Sequence, residues 1–299
     1  MPVDNDLGPQ ELRVLVAVER EGGFTSAAAS LGLTQSAVSH AIRSIESKVG
    51  VVLFERGRHG ARPTPAGQRA TAHARRILRL LETLGAEARG AEAGIVDGPL
   101  RIAAFRSAAA HLLPVALDRL TARHPGIRPQ VSIVREIGRG TAGEVADGRA
   151  DLGIATIGPD STFPGGLLTG ALFEERYSPV HPAGHTDPRK LPLIDWDENC
   201  GSYTRQWWSE QDWLPCATVT AQDDSVVLSM VAQGMGMAIA PQLTLLGAPA
   251  GIGVTDLGPQ PPTRRIGYVT TPAMAKSLAV RALIRELRST AAPLVAAGA

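Results

Sequence analysis

Apolar positions in the first fifth of the chain recur with helical spacing in three short runs. Leu12, Leu15 and Val16, with Glu19, begin an amphipathic helix that runs out at Glu21-Gly22-Gly23. Thr25 is the predicted N-cap of a second helix, with Ala27, Ala28 and Leu31 facing inward. Gly32 supplies a tight turn. Thr34 then caps a third helix, in which Val38, Ile42, Ile45 and Val49 form one apolar face. The opposite face carries Gln35, Ser36, Ser39, His40 and Arg43. A merely solvated helix favours long charged residues of high helix propensity, whereas Ser and His lower it. Such side chains suit a helix pushed into the major groove. Gln pairs bidentately with adenine, Ser bonds base or phosphate, and a cation reaches guanine or the backbone. Residues 24–43 thus read as a helix-turn-helix whose second helix meets base edges. A small helical bundle with a polar face is the plainer alternative.

The stretch VVLFERGRHGARPTPAG, residues 51–67, has an apolar run, a Gly-flanked basic loop (Arg56, Arg58, His59, Arg62) and Thr64-Pro65. It predicts a two-stranded wing whose arginines lie along phosphates or the minor groove. Thr64 and Pro65 fit the N-cap and first position of the next helix. That helix, predicted over 65–93, repeats Ala70, Ala74, Ile77, Leu81, Leu84, Ala88 and Ala91 at alternating spacings of four and three. This is the seam of a helix that pairs with another helix. Ala74, Ile77, Leu81, Leu84 and Ala88 are its expected dimerisation residues, the alternative being one helix lying on its own domain. About 40 Å of helix, at 1.5 Å per residue, would hold two reading heads apart, as a pseudo-palindromic site requires. Gly and Pro in GIVDGPL end it, with a hinge at 94–99.

From Leu100 the pattern changes. LRIAAF, PQVSIVRE and LGIAT read as strands separated by helices, and a second series runs to about Gln260 before RRIGYVTT and a final helix. These are βαβ units, which predict a parallel sheet covered on both faces. Ligands of such sheets bind at the strand C-termini, against helix N-termini. Ser107 opens the helix after the first strand and is a candidate for that role, or simply its N-cap. Arg106 beside it is a candidate partner for a ligand carboxylate, or a structural arginine. Trp196, Trp207, Trp208 and Trp213 read as core rather than an aromatic cage.

Composition narrows the function. A 44% hydrophobic chain with mean hydropathy +0.01 is that of a globular protein with real cores. No apolar run nears the roughly 18 residues needed to cross a bilayer. The start, MPVDNDLGPQ, lacks the basic and apolar regions of a secretory signal, and Cys200 and Cys216 are too few for a disulfide framework. A reduced, cytoplasmic setting is expected, with no membrane partner. The net charge of +1 hides nine Lys and Arg against two acids between Thr34 and Leu80, a local surplus of seven. Such a segment suits a polyanion. No nucleophile–base pair, metal-type spacing or phosphate loop is evident, and HPAGH, with its Pro and Gly, is a loop rather than a helix face. No enzyme, metal or cofactor is expected.

The N-terminal motifs EREGGFTSAAASLGLTQSAVSHAIRSIESKVG, LFER and TPAG resemble the DNA-binding domain of LysR-type transcriptional regulators. Departures are Gly23 where Ser is usual, Ser36 where Pro is common, His40 where Arg is common, and Arg62-Pro63 where Leu precedes Thr. GPLRIAAF, DGRADLGIA and VAQGMGMAIAP resemble the same family's effector-binding domain. The resemblance implies a multi-domain α+β protein. It has a winged helix-turn-helix at 7–64, a linker helix at 65–93 and, at 100–299, an effector domain like a type 2 periplasmic binding protein. That domain would have two α/β subdomains, 100–158 with 264–299 and 159–263, joined by strands crossing near Thr156–Pro159 and Pro262–Arg265. A small effector, with an anion as one expectation, would sit between them. It would touch Arg106 and Ser107 on one side and Cys200, Gly201, Ser202, Tyr203, Thr204, Asp224 and Ser225 on the other. The family often has Ser or Thr just after the second strand, where this chain has Ile137-Gly138-Arg139, so Gly138 takes that place. The implied partners are double-stranded DNA at a pseudo-palindrome and further copies of the chain, a homodimer assembling to a homotetramer. A thiol-responsive regulator using Cys200 and Cys216, and an architectural DNA-binding protein without effector, are the alternatives.

Overall fold

The apolar stripes of the first three helices point at one another. Val18, Ala27, Val38 and Ile42 are fully buried among them. The computed structural model describes residues 6–57, 60–93, 95–158, 161, 163–198 and 202–297. It divides into two compact units, one up to Gly98 together with Ala146–Arg149, the other formed by the remainder. Helix α1 (Pro9–Glu21) starts with Pro in its first turn, and the Gly8 N–H donates to the Glu11 carboxylate at 3.0 Å. Helix α2 (Phe24–Leu31) begins earlier than the sequence suggested. Gly23 is its N-cap, in extended backbone, and Thr25 lies inside the first turn without capping it. Phe24 is drawn into the helix because it packs on the core. Helix α3 (Gln35–Val49) is capped as expected, with Thr34 Oγ1 accepting from the Ala37 N–H at 3.2 Å.

Strands β1 (Phe54–Gly57) and β2 (Gly60–Pro63) pair antiparallel as the wing. Its root is held by Glu46 of α3, whose Oε1 accepts from the Leu53 and Phe54 N–H groups at 2.8 and 3.2 Å. Helix α4 (Pro65–Ala93) follows, and Thr64 Oγ1 accepts from the Gly67 N–H at 3.0 Å while donating to the Val52 carbonyl. Its 29 residues span about 43 Å.

The chain passes into the second unit within β3 (Asp97–Ala104) and continues with α5 (Arg106–His111), α6 (Leu113–Arg123), β4 (Gly126–Ile133), α7 (Gly140–Ala146) and β5 (Leu152–Ile157). The 15-residue β6 (Leu168–Pro182) leads to β7 (Leu193–Trp196), α8 (Ser202–Ser209), β8 (Ala217–Ala221), α9 (Asp224–Ala232), β9 (Ala238–Pro241), α10 (Gln242–Leu245) and β10 (Ile252–Val254). The chain closes with β11 (Thr263–Thr270) and α11 (Leu278–Ala297). The main sheet runs β10-β6-β11-β5-β3-β4, with β9 also on β6.

That sheet is mixed, not parallel. β3 and β5 are parallel, but β11 lies antiparallel to both β5 and β6, because it returns from the second lobe and enters the sheet from the other end. The crossings follow from the same register. β6 pairs with β11 from Leu168↔Thr270 to Arg176↔Thr263, then with β9 from Tyr177↔Pro241 and with β10 at Pro182↔Ile252. The first crossing therefore lies inside β6 at Arg176–Tyr177, downstream of the expected Thr156–Pro159. The second, at the start of β11, falls within the expected Pro262–Arg265. A long strand shared by two lobes shows no break at which a sequence pattern could locate the change of partner.

Each lobe has its own core. Leu100, Ile102, Leu120 and Ile154 are buried in the first, and Val180, Ile194, Trp196 and Val227 cluster in the second. Trp208 joins Tyr177 and Ile239, with Trp207 and Trp213 packed against them, so all four tryptophans are structural.

Gly67 gives a test in which propensity and packing oppose each other. Alanine would raise helix propensity by about 1 kcal/mol. A Cβ there, however, would stand 2.0 Å from the Leu53 carbonyl oxygen. Urea denaturation of Gly67→Ala should show net destabilisation of about 1–3 kcal/mol; a stabilised variant would contradict the close approach of α4 to the wing root.

Candidate functional site

The outer face of α3 is polar and open. Thr34, Gln35, Ser36, His40 and Arg43 are exposed. Ser39 is not, with only 4% of its surface accessible. At 100° per residue it falls on the flank of the apolar face, beside Val38 and Ile42. It serves as an anchor for Arg43, whose Nε and Nη2 donate to the Ser39 carbonyl and hydroxyl, each at 3.3 Å. The exposed stripe instead continues through Ala37, Ser44 and Ser47, two serines that helical spacing from Ser36 and His40 would have located. On the wing, Arg62 is exposed. Arg56 lies in β1, its side chain outside the described atoms, and Arg58 and His59 lie outside the described residues.

The basic surplus is narrower than a count suggests. Lys48 donates to both oxygens of Glu11 at 2.8 and 2.9 Å and holds that carboxyl below its ordinary range. Arg75 pairs with Glu19, and Arg79 with Glu82 at 3.1 Å. Arg43 of α3, Arg62 of the wing and Arg69 of α4 remain exposed.

Helix α4 changes role along its length. Ala74 is 1% exposed and belongs to the core of its own head, so it does not form part of a seam. Its turn of α4 is already covered by the head core. Further along, Ile77, Leu81 and Leu84 are 45%, 43% and 68% exposed, joined by Leu80 and Ala88. A contiguous apolar row on an open helix is the kind of surface that another chain can cover.

In the second unit the two lobes face each other across ion pairs. Arg106, at the start of α5, pairs with Asp223 and with Asp224, its Nε 3.2 Å from Asp224 Oδ1. Asp223 also caps α9, accepting from the Ser225 N–H at 2.8 Å and the Ser225 hydroxyl at 2.6 Å. Burial pushes the Asp224 carboxyl up, against the opposing charge of Arg106 and a hydrogen bond from Thr244 at 3.3 Å. Arg135, just past β4, donates to Asp197 and Glu198 at 3.0 Å each, and the Glu136 N–H donates to Glu198 at 3.4 Å. Two arginines of the first lobe thus grip four carboxylates of the second.

Ser107 is 4% exposed and is the second residue of α5; the cap position falls to Phe105, so Ser107 is not the N-cap. Gly138 holds a left-handed turn, φ 62°, ahead of α7. The polar group near that turn is Glu136, which sequence reasoning missed because it looked for Ser or Thr. Its Oε2 accepts from the Thr141 N–H and hydroxyl, and its Oε1 from the Thr156 N–H, all at 3.2 Å. Burial pushes this carboxyl up despite those bonds. At the crossing, Glu175 accepts from Arg264 Nε at 2.7 Å and from the Leu243 N–H, while the Arg264 guanidinium stands 5.1 Å from the Phe105 ring centroid. The structure therefore brings Arg106, Asp224 and Ser225 together. Cys200 and Gly201 lie outside the described residues, and of Ser202, Tyr203 and Thr204 only the backbone opening α8 is described. Cys216 is exposed. Among the described residues no group of His, Cys, Asp or Glu could hold a metal ion, and no helix is long and apolar enough to cross a membrane.

The raised Glu136 carboxyl sets a pH dependence. The folded protein holds this proton more tightly than the unfolded chain, so stability from this group is greatest below pH 4.5 and is lost as pH rises through the raised value. Urea midpoints of the native protein and Glu136→Gln, compared from pH 4.5 to 8, should shift steadily in favour of Gln. A constant gap would contradict a raised carboxyl.

Comparison with known proteins places these features. Residues 9–68 match the bacterial regulatory helix-turn-helix protein of the lysR family, and residues 93–292 match the LysR substrate binding domain. The chain is 35% identical to the probable HTH-type transcriptional regulator LrrA of Synechococcus elongatus, over 96% of this chain and 99% of that one. A full-length OxyR variant from Pseudomonas aeruginosa superposes with TM-score 0.72 at 22% identity, covering 96% of this chain and 97% of that one. Full-length LysG of Corynebacterium glutamicum with bound effector arginine superposes at TM-score 0.66 and 18% identity, covering 96% and 99%.

Proposed function

The chain belongs to the LysR family of bacterial regulatory helix-turn-helix proteins, and we propose that it is a transcriptional regulator that binds a pseudo-palindromic DNA site as an oligomer and is controlled by a small molecule held between the two lobes of its second unit. The observation that carries this reading is the polar outer stripe of α3, with Ser36, His40 and Arg43 exposed opposite the buried Val38, Ile42 and Ile45. Stripe and wing give the two ingredients of sequence-specific binding, base-edge donors and phosphate-facing cations. The exposed row Ile77, Leu81 and Leu84 supports pairing of two heads through α4.

Effector control has its support in the cross-lobe ion pairs. An effector carboxylate would compete with Asp223 and Asp224 for Arg106, and a lobe geometry that binds the effector better gains population. The solved LysG, of similar fold, holds its effector arginine.

Two outcomes follow. His40→Ala should cost ~1–3 kcal/mol at the specific site only, whereas Arg62→Ala should weaken all sequences and flatten the salt slope. Fluorescence anisotropy on specific and random duplexes reads the difference, and an unchanged specificity ratio in His40→Ala would remove that residue from the reading face. Leu81→Glu places an unpaired charge in the pairing row at a cost of roughly 3–5 kcal/mol. It should sediment as a smaller species with weakened DNA binding; an unaltered oligomer would remove the row from the interface.

A further inference from the structure

At the end of β6 and β11 farthest from the lobe crossing lies a cavity of about 500 Å³. Leu168, Tyr268 and Ile284 contribute its apolar wall, and Arg281, Arg285 and Arg288 of α11 line it as well. The three arginines stand at i, i+4 and i+7, on one face of α11, and all three are exposed. The other face of the helix, Val280, Leu283 and Leu287, is fully buried. Glu286, the acid nearest in sequence, is 1% exposed and is engaged by Arg123 and Arg285 rather than by Arg281 or Arg288.

The wall is built around one aromatic ring. Tyr268 is paired in register with Gly170, and a Cβ at Gly170 would lie 2.4 Å from the Tyr268 ring, so the ring lies across the glycine backbone. Arg288 donates to the Tyr268 hydroxyl at 3.2 Å and holds its guanidinium 5.8 Å from the ring centroid. The ring and its cation are thus fixed, while Arg281 has no acidic partner among the described residues. Ligand pockets commonly measure about 300–1,000 Å³ and combine apolar walls with a few polar groups that fix orientation.

We propose that this groove is a second small-molecule site, selective for an organic anion with a flat apolar body: a carboxylate set against Arg281 and Arg288, its body lying on Tyr268 and Ile284. It is separate from the cleft. Leu168↔Thr270 marks the groove end of the strand pair and Arg176↔Thr263 the crossing end, roughly 25 Å apart at 3.3 Å per residue.

The test uses 2-naphthoate, titrated calorimetrically into the full chain, with methyl 2-naphthoate as its uncharged counterpart. The native protein should bind the acid saturably and the ester much more weakly. The double variant Arg281→Glu/Arg288→Glu, whose exposed sites leave the core intact, should bind the acid at least about 10-fold more weakly, which corresponds to 1.4 kcal/mol. Its melting temperature checks folding. Should the double variant unfold, the single change Arg281→Gln should still weaken binding several-fold. No saturable binding of the acid, equal binding of acid and ester, or undiminished binding in the folded arginine variants would each overturn the proposal.

Discussion

Two strands carry the chain between the lobes of the second unit, and the charge that joins them is buried. Glu175 on β6 and Arg264 on β11 face each other in register, with side chains 2% and 11% exposed. Removing one partner of such a pair leaves an uncompensated charge, at a cost of about 3–5 kcal/mol. Arg264 also stands near the Phe105 and Tyr177 rings, and Glu175 takes the N–H at the start of α10, so both lobes are fastened to one point. The contacts farther out are of another kind. Arg106 and Arg135 are 47% and 41% exposed, and ion pairs in that setting contribute about 0–1 kcal/mol each. A firm hinge with weak outer pairs would let a ligand of ordinary affinity change the lobe geometry, as the proposed effector control requires, without unfolding the crossing.

The head depends on a similar economy of polar groups. Its reading helix, wing and linker are fixed by a few shared acceptors: Glu46 for the wing root, Thr64 for both the wing and α4, and Ser39 for Arg43. Lys48, Arg75 and Arg79 are tied to acids of the same unit, while Arg43 of α3 and Arg62 of the wing stay exposed, where the proposed reading has them meet a polyanion. Affinity would come from the wing and discrimination from α3, a division that keeps the two adjustable by separate residues.

Much of this was legible from periodicity. Val38, Ile42 and Ile45 fixed which side of α3 is inside, and Thr34, Gly32, Thr64 and Pro65 marked ends by local backbone chemistry that owes little to the rest of the fold. What failed depended on the third dimension. Ser39 lies on the border between two faces, where polarity does not tell inside from outside. Ala74 obeys the heptad spacing of the seam and yet is covered by its own head. Thr25 lost its cap because Phe24 had packing to gain. The crossing inside β6, and Glu136 in place of a hydroxyl, follow from pairing and burial between segments far apart in sequence, which no local pattern encodes.

Selection by the purified full chain from randomised duplex DNA tests the regulatory account most directly. Two heads paired through α4 should enrich one sequence with two half-sites related by a dyad, their centres one or more helical turns of about 10–10.5 base pairs apart. Enrichment of no sequence, or of a single half-site without a symmetric mate, would contradict it.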